Sequence, residues 1–309
     1  MSIAASSPKK HTNHIRITRS DRLAKIVACV IVGGFSIICL YPLLLTLTVS
    51  LTPEDVINRD GFRLIPREFT LDTYTYMFAH SGERILRSYG ITTFITVVGT
   101  LGAMLVTCML SYAISLPELK YRNVIAFICN FTTIFSAGLV PWYVVCRQWY
   151  GLANNILGLI LPPMFSVWSM FLMRTYFKTV SPSLYEAAKI DGAGHMKIFF
   201  RIALPLNVTA LLTVGMMYAL NYWNDWWHAL MFIEDRNLYP LQFYLYQVVS
   251  NVNAVSSGRV PSGAAANLRL PAETMKMAVT IVTIGPILFL YPFIQRYFVQ
   301  GIMTGAVKE

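Results

Sequence analysis

Charged side chains are scarce in this 309-residue chain: Asp, Glu, Lys and Arg make up 13% of it, about half the share usual in soluble domains. Hydrophobic residues make up 55% and the mean hydropathy is +0.53, so a bilayer is the expected solvent. The 5 cysteines form no CxxC pair and each lies in an apolar stretch. That pattern excludes a disulfide framework or thiolate zinc site and leaves them as small buried hydrophobes. The 5 histidines make no HExxH, so no metal centre is expected. No GxxxxGK[ST] loop is present to cradle phosphates, and no nucleophile, base and orienting group stand together. Neither enzymatic activity nor a bound cofactor is expected of the chain. Its net charge of +10 does not indicate nucleic acid, because the basic residues sit between long apolar runs instead of clustering with aromatics.

Uncharged runs extend over Ile26 to Leu51, Ser88 to Pro117, Asn123 to Cys146, Asn155 to Met173 and Met277 to Gln295, and Asn207 to Ile233 holds one acid. The first, at 1.5 Å per residue, covers about 39 Å against a hydrocarbon core of roughly 30 Å. It is too long for the apolar part of a signal peptide and lacks a small-residue cleavage site, so an uncleaved helix is expected. Pro141, Pro162, Pro163 and Pro286 should kink the spans they touch. The expected fold class is an all-α membrane protein with six transmembrane helices. One set of connections and ends (1–25, 118–122, 174–206 and the tail from 296) carries 15 Lys or Arg, the other set 10. By the positive-inside rule both termini are cytoplasmic. The organisation read from this is a basic segment 1–25, a first helix 26–51, an external segment 52–87, a core 88–298 with a cytoplasmic loop 174–206 and an external loop 234–276, and a tail 299–309.

The loop 174–206 contains SPSLYEAAKIDGAGHMKIFFRIALPL from Ser181 to Leu206. Ser183 with Glu186 reads as a capping box, Pro182 suits a helix start, and Gly192 and Gly194 should end the helix after about two turns. A second helical stretch, His195 to Ala203, leads to Pro205. Leu184, Ala187, Ala188 and Asp191 fall on one face at i, i+3, i+4 and i+7, a narrow ridge that can enter a groove closely.

Glu186-Ala187-Ala188, Gly192 and Ile202-Ala203-Leu204-Pro205 match the EAA loop of the permease subunits of binding-protein-dependent ABC importers. The string EAAKIDGA with IALPL resembles the carbohydrate-uptake branch, the maltose-type second permease and its Gram-positive relatives for complex oligosaccharides. FTLDTY (69–74), GLVPWY (138–143), MRTYF (173–177), WND (223–225), YPLQ (239–242) and the final YPFIQRYFVQGIMTGAVKE extend the resemblance over residues 69 to 309. It implies a type I importer transmembrane domain in a bacterial plasma membrane, working with a second permease subunit, two cytoplasmic ATPase subunits that bind ATP and Mg, an external solute-binding protein and a carbohydrate substrate. It also implies that Glu186, Ala187, Ala188, Asp191 and Gly192 couple to the ATPase. From the external loop, Tyr239, Gln242 and Tyr246 are the candidate contacts with the binding protein.

Asp225 is the single ionised group inside the expected spans, where lipid exposure costs roughly 2.5–3.5 kcal/mol. On a helical wheel Asn221, Asn224, Asp225 and His228 fall on one arc of the fifth helix, and Tyr222, Trp223, Trp226 and Trp227 on the other, where the aromatics either pack or form sugar-stacking platforms. Asn221, Trp223, Asn224 and Asp225 are therefore candidates for the translocation pathway or the permease interface. A polar clamp between helices with an interfacial Trp belt explains the same residues, and the sequence leaves both open. In maltose-type systems the resemblance assigns substrate contacts mainly to the other permease. The stretch Leu241 to Val249 reads as a short helix, lying either at the membrane surface or against the bundle. A secondary transporter is disfavoured, since that class shows internal repeats and several intramembrane ionisable groups.

Overall fold

The computed structural model describes residues 19–256 and 273–288, with no β-strand among them. The chain is all-α, as its apolar runs require. Helix α1 (Arg19–Ser50) contains a stretch long and apolar enough to cross a bilayer, and none of that stretch is buried against the rest of the chain. Cys29 and Cys39 consequently lie exposed on α1 and are not the buried hydrophobes expected, whereas Cys108 and Cys146 are buried.

After α2 (Glu54–Asp60) comes α3 (Asp72–Ser115), a helix of 44 residues. At 1.5 Å per residue it is about 66 Å long, twice the hydrocarbon thickness. The segment 52–87 is thus no open loop: it holds α2 and the first four turns of α3.

Three other spans are bent. Helix α4 (Arg122–Ile134) meets α5 (Leu139–Val144) and its π-helical continuation Val145–Trp149 at 114°. The break falls at Gly138, whose φ is +89°, and not at Pro141. That proline sits in the first turn of α5, where a missing N–H is tolerated. Helix α6 (Leu157–Ile160) and the 3-10 turn Pro162–Met164 meet α7 (Val167–Thr179) at 52°, so Pro162 and Pro163 do mark a bend. Next come α8 (Pro182–Ile190), α9 (His195–Ile198), a π-helical turn Phe199–Ala203 and α10 (Leu204–Leu206). The stretch from His195 turns by 87° into α11 (Val208–Trp223). Helices α12 (Trp227–Phe232) and α13 (Leu241–Ser256) follow, and residues 273–288 form α14. Pro286 lies within α14, two residues before the described part ends.

The core lies between α3, α7 and α11. On α3 the buried positions Ile95, Gly99, Ala103, Thr107 and Ser111 recur every four residues, and small ones dominate, as expected where helices approach closely in lipid. A Cβ on Gly99 would stand 2.5 Å from the Tyr222 ring, so α11 can reach α3 only because nothing is there. Polar groups in this interface pair across helices. Tyr222 donates to the Ile160 carbonyl at 2.7 Å, Thr107 and Tyr218 share a hydrogen bond of 2.7 Å, and Ser111 donates to the Met170 carbonyl at 2.8 Å.

The connections gather at two opposite ends. At one, Lys189 on α8 donates to Glu118 in the turn after α3. At the other, Arg147 pairs with Glu234 at 3.0 Å, and the Glu54 carboxylate accepts the N–H groups of Glu273 and Thr274 at 3.0 and 2.9 Å. Glu54 thereby caps the otherwise unsatisfied start of α14.

Candidate functional site

Helix α8 starts at Pro182 after the N-cap Ser181, the arrangement in which proline's fixed φ fits a first turn. The capping box expected between Ser183 and Glu186 is not formed. Ser183 lies inside the helix with its Oγ 2.7 Å from that of Ser181, and no side chain caps the helix. The other end is as the glycine predicts. Gly192 has φ +78°, its N–H reaches the Lys189 carbonyl at 2.9 Å, and the Ala193 N–H reaches the Ala188 carbonyl at 2.9 Å. Those two bonds are the Schellman pair that satisfies a helix C-terminus. Gly194 differs from expectation: it is the extended N-cap of α9, with φ −72°.

The two faces of α8 do different things. Tyr185 and Ala188 pack on the core of Tyr112, Phe177 and Phe199, with the rings of Tyr185 and Tyr112 edge to face at 6.1 Å. Burial pushes the Tyr185 phenol up to about 12, with Tyr112 adding to it. The hydrogen bond from Lys189 holds the Glu118 carboxyl below its ordinary range against some desolvation, and the charges of Lys189 and His195 assist. A depressed carboxyl of this kind supports the α8 contact at neutral pH and ceases to do so as pH falls through its lowered value.

Among the described residues nothing covers the opposite face. Leu184, Glu186, Ala187, Asp191 and Gly192 are exposed, and Ile190 is 86% exposed. Ala188 is half-buried on the bundle side, so the expected ridge of two alanines is reduced to Ala187 flanked by Leu184, Ile190 and Asp191. At 100° from Ala187, Ala188 lies at the border of the wheel's face, and Tyr185 draws that border inward.

At the other end of the molecule the fifth apolar run is not one helix. Helix α11 stops at Trp223, Asn224 is its C-cap, and its Nδ2 donates to the Leu220 carbonyl at 2.8 Å. Asp225 stands in the break before α12, so the arc drawn through Asn221, Asn224, Asp225 and His228 does not exist. Its Oδ1 accepts the His228 N–H at 3.1 Å and its Oδ2 lies 2.6 Å from His228 Nδ1. With its side chain only 9% exposed, the carboxylate is withdrawn from lipid to cap the start of α12. Trp223 is half-buried, and its Nε1 has no hydrogen-bond partner among the described residues.

Helix α13 runs seven residues beyond the stretch expected, to Ser256, and it packs on the bundle. Leu241 and Phe243 are buried, and the Leu241 N–H reaches Thr92 Oγ1 at 2.8 Å. Gln242 and Tyr246, one turn apart, instead face the break in the fifth span. Gln242 Nε2 donates to Asn224 Oδ1 at 3.3 Å, and Tyr246 stacks on Trp226 with ring centroids 4.8 Å apart and planes 18° from parallel. Tyr239 packs edge-on against Phe243 at 4.7 Å. Residues read from the sequence as two sites, one in the membrane and one in the external loop, thus meet in one place. Trp226, one of the aromatics that the sequence left as either packing or sugar-stacking, stands at its centre. The i, i+4 spacing of Gln242 and Tyr246 was the available signal, and their partner was not.

Residues 84–304 match the family described as binding-protein-dependent transport system inner membrane component. The chain is 34% identical over 282 residues to the polygalacturonan/rhamnogalacturonan transport system permease protein YtcP of Bacillus subtilis (strain 168), covering 89% of this chain and 94% of that protein. Protein LplC of the same organism is 34% identical over 300 residues, 96% of this chain and 98% of the relative. A chain in the crystal structure of a bacterial ABC transporter involved in the import of the acidic polysaccharide alginate superposes with a TM-score of 0.80 at 29% identity, over 91% of this chain and 98% of the other.

Proposed function

The chain belongs to the binding-protein-dependent transport inner membrane component family, and from that premise we propose that it forms half of the transmembrane pathway of an ABC importer for an oligosaccharide. In this reading a second permease supplies the other half, two cytoplasmic ATPase subunits bind ATP and Mg and perform the hydrolysis, and an external binding protein delivers the sugar. The end bearing α8 and Glu118 is cytoplasmic, where the basic residues are concentrated, and both termini lie on that side of the plasma membrane.

The observation that carries the proposal is the two-sidedness of α8. Its inner face is rooted through Tyr185, Ala188 and Lys189 in the turn after α3 and in the core, while its outer face, Glu186, Ala187, Ile190 and Asp191, is left exposed by the described residues. A soluble ATPase can move buried helices only through a contact that is rigid on the membrane side and open on the other. Support for a carbohydrate comes from the relatives: YtcP is named for polygalacturonan and rhamnogalacturonan, and the superposable transporter imports alginate. Tyr239 remains a candidate contact with the binding protein.

Affinity purification of the tagged chain from membranes in mild detergent should bring out a second permease and an ATPase. Proteoliposomes of that complex, given the binding protein and ATP, should take up labelled trigalacturonate, alginate trisaccharide or maltotriose. Recovery of this chain without an ATPase, or uptake of none of the three, contradicts the proposal.

A further inference from the structure

We propose that this chain itself holds a sugar ring at its outer mouth, on a platform of Trp226 and Tyr246 flanked by the Gln242 amide, which Asn224 orients; this rests on the carbohydrate reading above and adds a binding subsite to it. Two rungs join α13 to the break between α11 and α12. The first is the hydrogen bond from Gln242 to Asn224 at 3.3 Å, and the second, one turn along α13, is the Trp226–Tyr246 stack at 4.8 Å. Each rung has a buried neighbour that fixes it: Tyr222 and Leu241 are fully buried, and Phe243, also buried, lies against Tyr246 with ring centroids 6.0 Å apart. The platform is thus rigid before any ligand arrives, as a recognition surface should be.

Its chemistry fits a sugar. A pyranose presents an apolar face of C–H groups to an aromatic ring and a rim of hydroxyls to planar amides, which offer donors and an acceptor side by side. Trp226 is 39% and Tyr246 38% exposed, and they give the aromatic face. Asn224 spends both ends of its amide inside the chain, on Leu220 and Gln242. That leaves Gln242 Oε1 as the acceptor with no partner among the described residues. Asp225, next to Trp226 in the chain, is turned away into the cap of α12. The described side chains that build the platform are all neutral, so the subsite reads ring and hydroxyls. A protein contact is the rival use of these residues. Protein contacts also favour exposed Trp and Tyr with little charge at their centre, so affinity for the sugar-free binding protein is what separates the two uses.

The test uses the complete complex in proteoliposomes with its binding protein, and labelled trigalacturonate, alginate trisaccharide and maltotriose as probes. For the probe that the wild type takes up, Trp226→Ala and Tyr246→Ala should each lower kcat/KM about tenfold, the upper range for losing one aromatic pair. Trp226→Phe should stay within about threefold of the wild type. Gln242→Leu leaves the stack and α13 intact and serves if the alanine variants do not assemble; it should cost several-fold through KM. Undiminished uptake in the variants that assemble overturns this subsite while leaving the carbohydrate reading standing. Uptake of no probe by the wild type overturns both. Weaker affinity of a variant complex for the sugar-free binding protein, matching its loss of uptake, makes the platform a protein contact and overturns the subsite as well.

Discussion

Valine at Gly192 should uncouple the importer without removing it from the membrane. Gly192 holds φ +78°, and a Cβ there would meet no atom within 4 Å, so the whole penalty is carried by the backbone. For an L-residue in this region it is roughly 1–2 kcal/mol, larger for a β-branched one, and that is a factor of about 5–30 in the population of the native turn. The Schellman bonds to Lys189 and Ala188 depend on the turn, and with them the angle at which Ala187, Ile190 and Asp191 are presented. Gly194 provides the control. It also has open space around it, but its φ of −72° is ordinary and it occupies an N-cap, so Gly194→Ser should be neutral or slightly favourable. Gly192→Asn, which tolerates the left-handed region, should recover most of the loss. Each variant is quantified in membranes and assayed in proteoliposomes for substrate-stimulated ATPase and uptake. We expect normal abundance with uptake per ATP reduced about tenfold for Gly192→Val, in line with the population shift. Normal coupling in Gly192→Val, or equal damage in Gly194→Ser, would refute the reasoning.

Three further outcomes follow from the packing and the ends. Gly99→Ala places a Cβ 2.5 Å from the Tyr222 ring and should cost about 1–3 kcal/mol by overpacking, seen as a lower melting temperature in detergent, while Gly90→Ala, with open space, should not; equal melting of the two contradicts the packing described. Asp225→Leu removes both acceptors of the α12 cap and should lose about 0.5–2 kcal/mol, with Asp225→Asn largely retaining it; a Leu variant as stable as the wild type means that the cap contributes nothing. In a cysteine-free background, Cys at Arg236 should react with an impermeant maleimide in intact cells and Cys at Lys197 only after lysis. The reverse pattern inverts the topology.

Much of the end that carries α8 was legible in the sequence because it is local. Gly192 forms its turn with residues three to five positions away, and the Ser181-Pro182 start is equally short-range. The capping box misled because Ser183 and Glu186 have the right spacing, and the rule that proline occupies the first helical position outranks it. The outer end was less legible for two reasons. An apolar run is read as one helix when no Pro or Gly stands near the break, yet Asn224 followed by Asp225 is a C-cap followed by the acceptor that starts a new helix. The signal was there and was overridden by hydropathy. The joining of Gln242 to Asn224 and of Tyr246 to Trp226, in contrast, depends on how α13 folds back over α3, through Thr92 and the buried Leu241 and Phe243. No local pattern encodes that. The length of α3 was hidden likewise, since its first four turns carry the charges by which a span is normally ended.

The docking of α8 on an ATPase is most directly tested by a photo-crosslinking residue at position 190, where the described residues leave the side chain 86% exposed. Irradiation of intact membranes should yield an adduct with one protein that carries a GxxxxGK[ST] loop, identified by mass spectrometry. An adduct with the second permease or with lipid, and none with such a protein, would contradict the account.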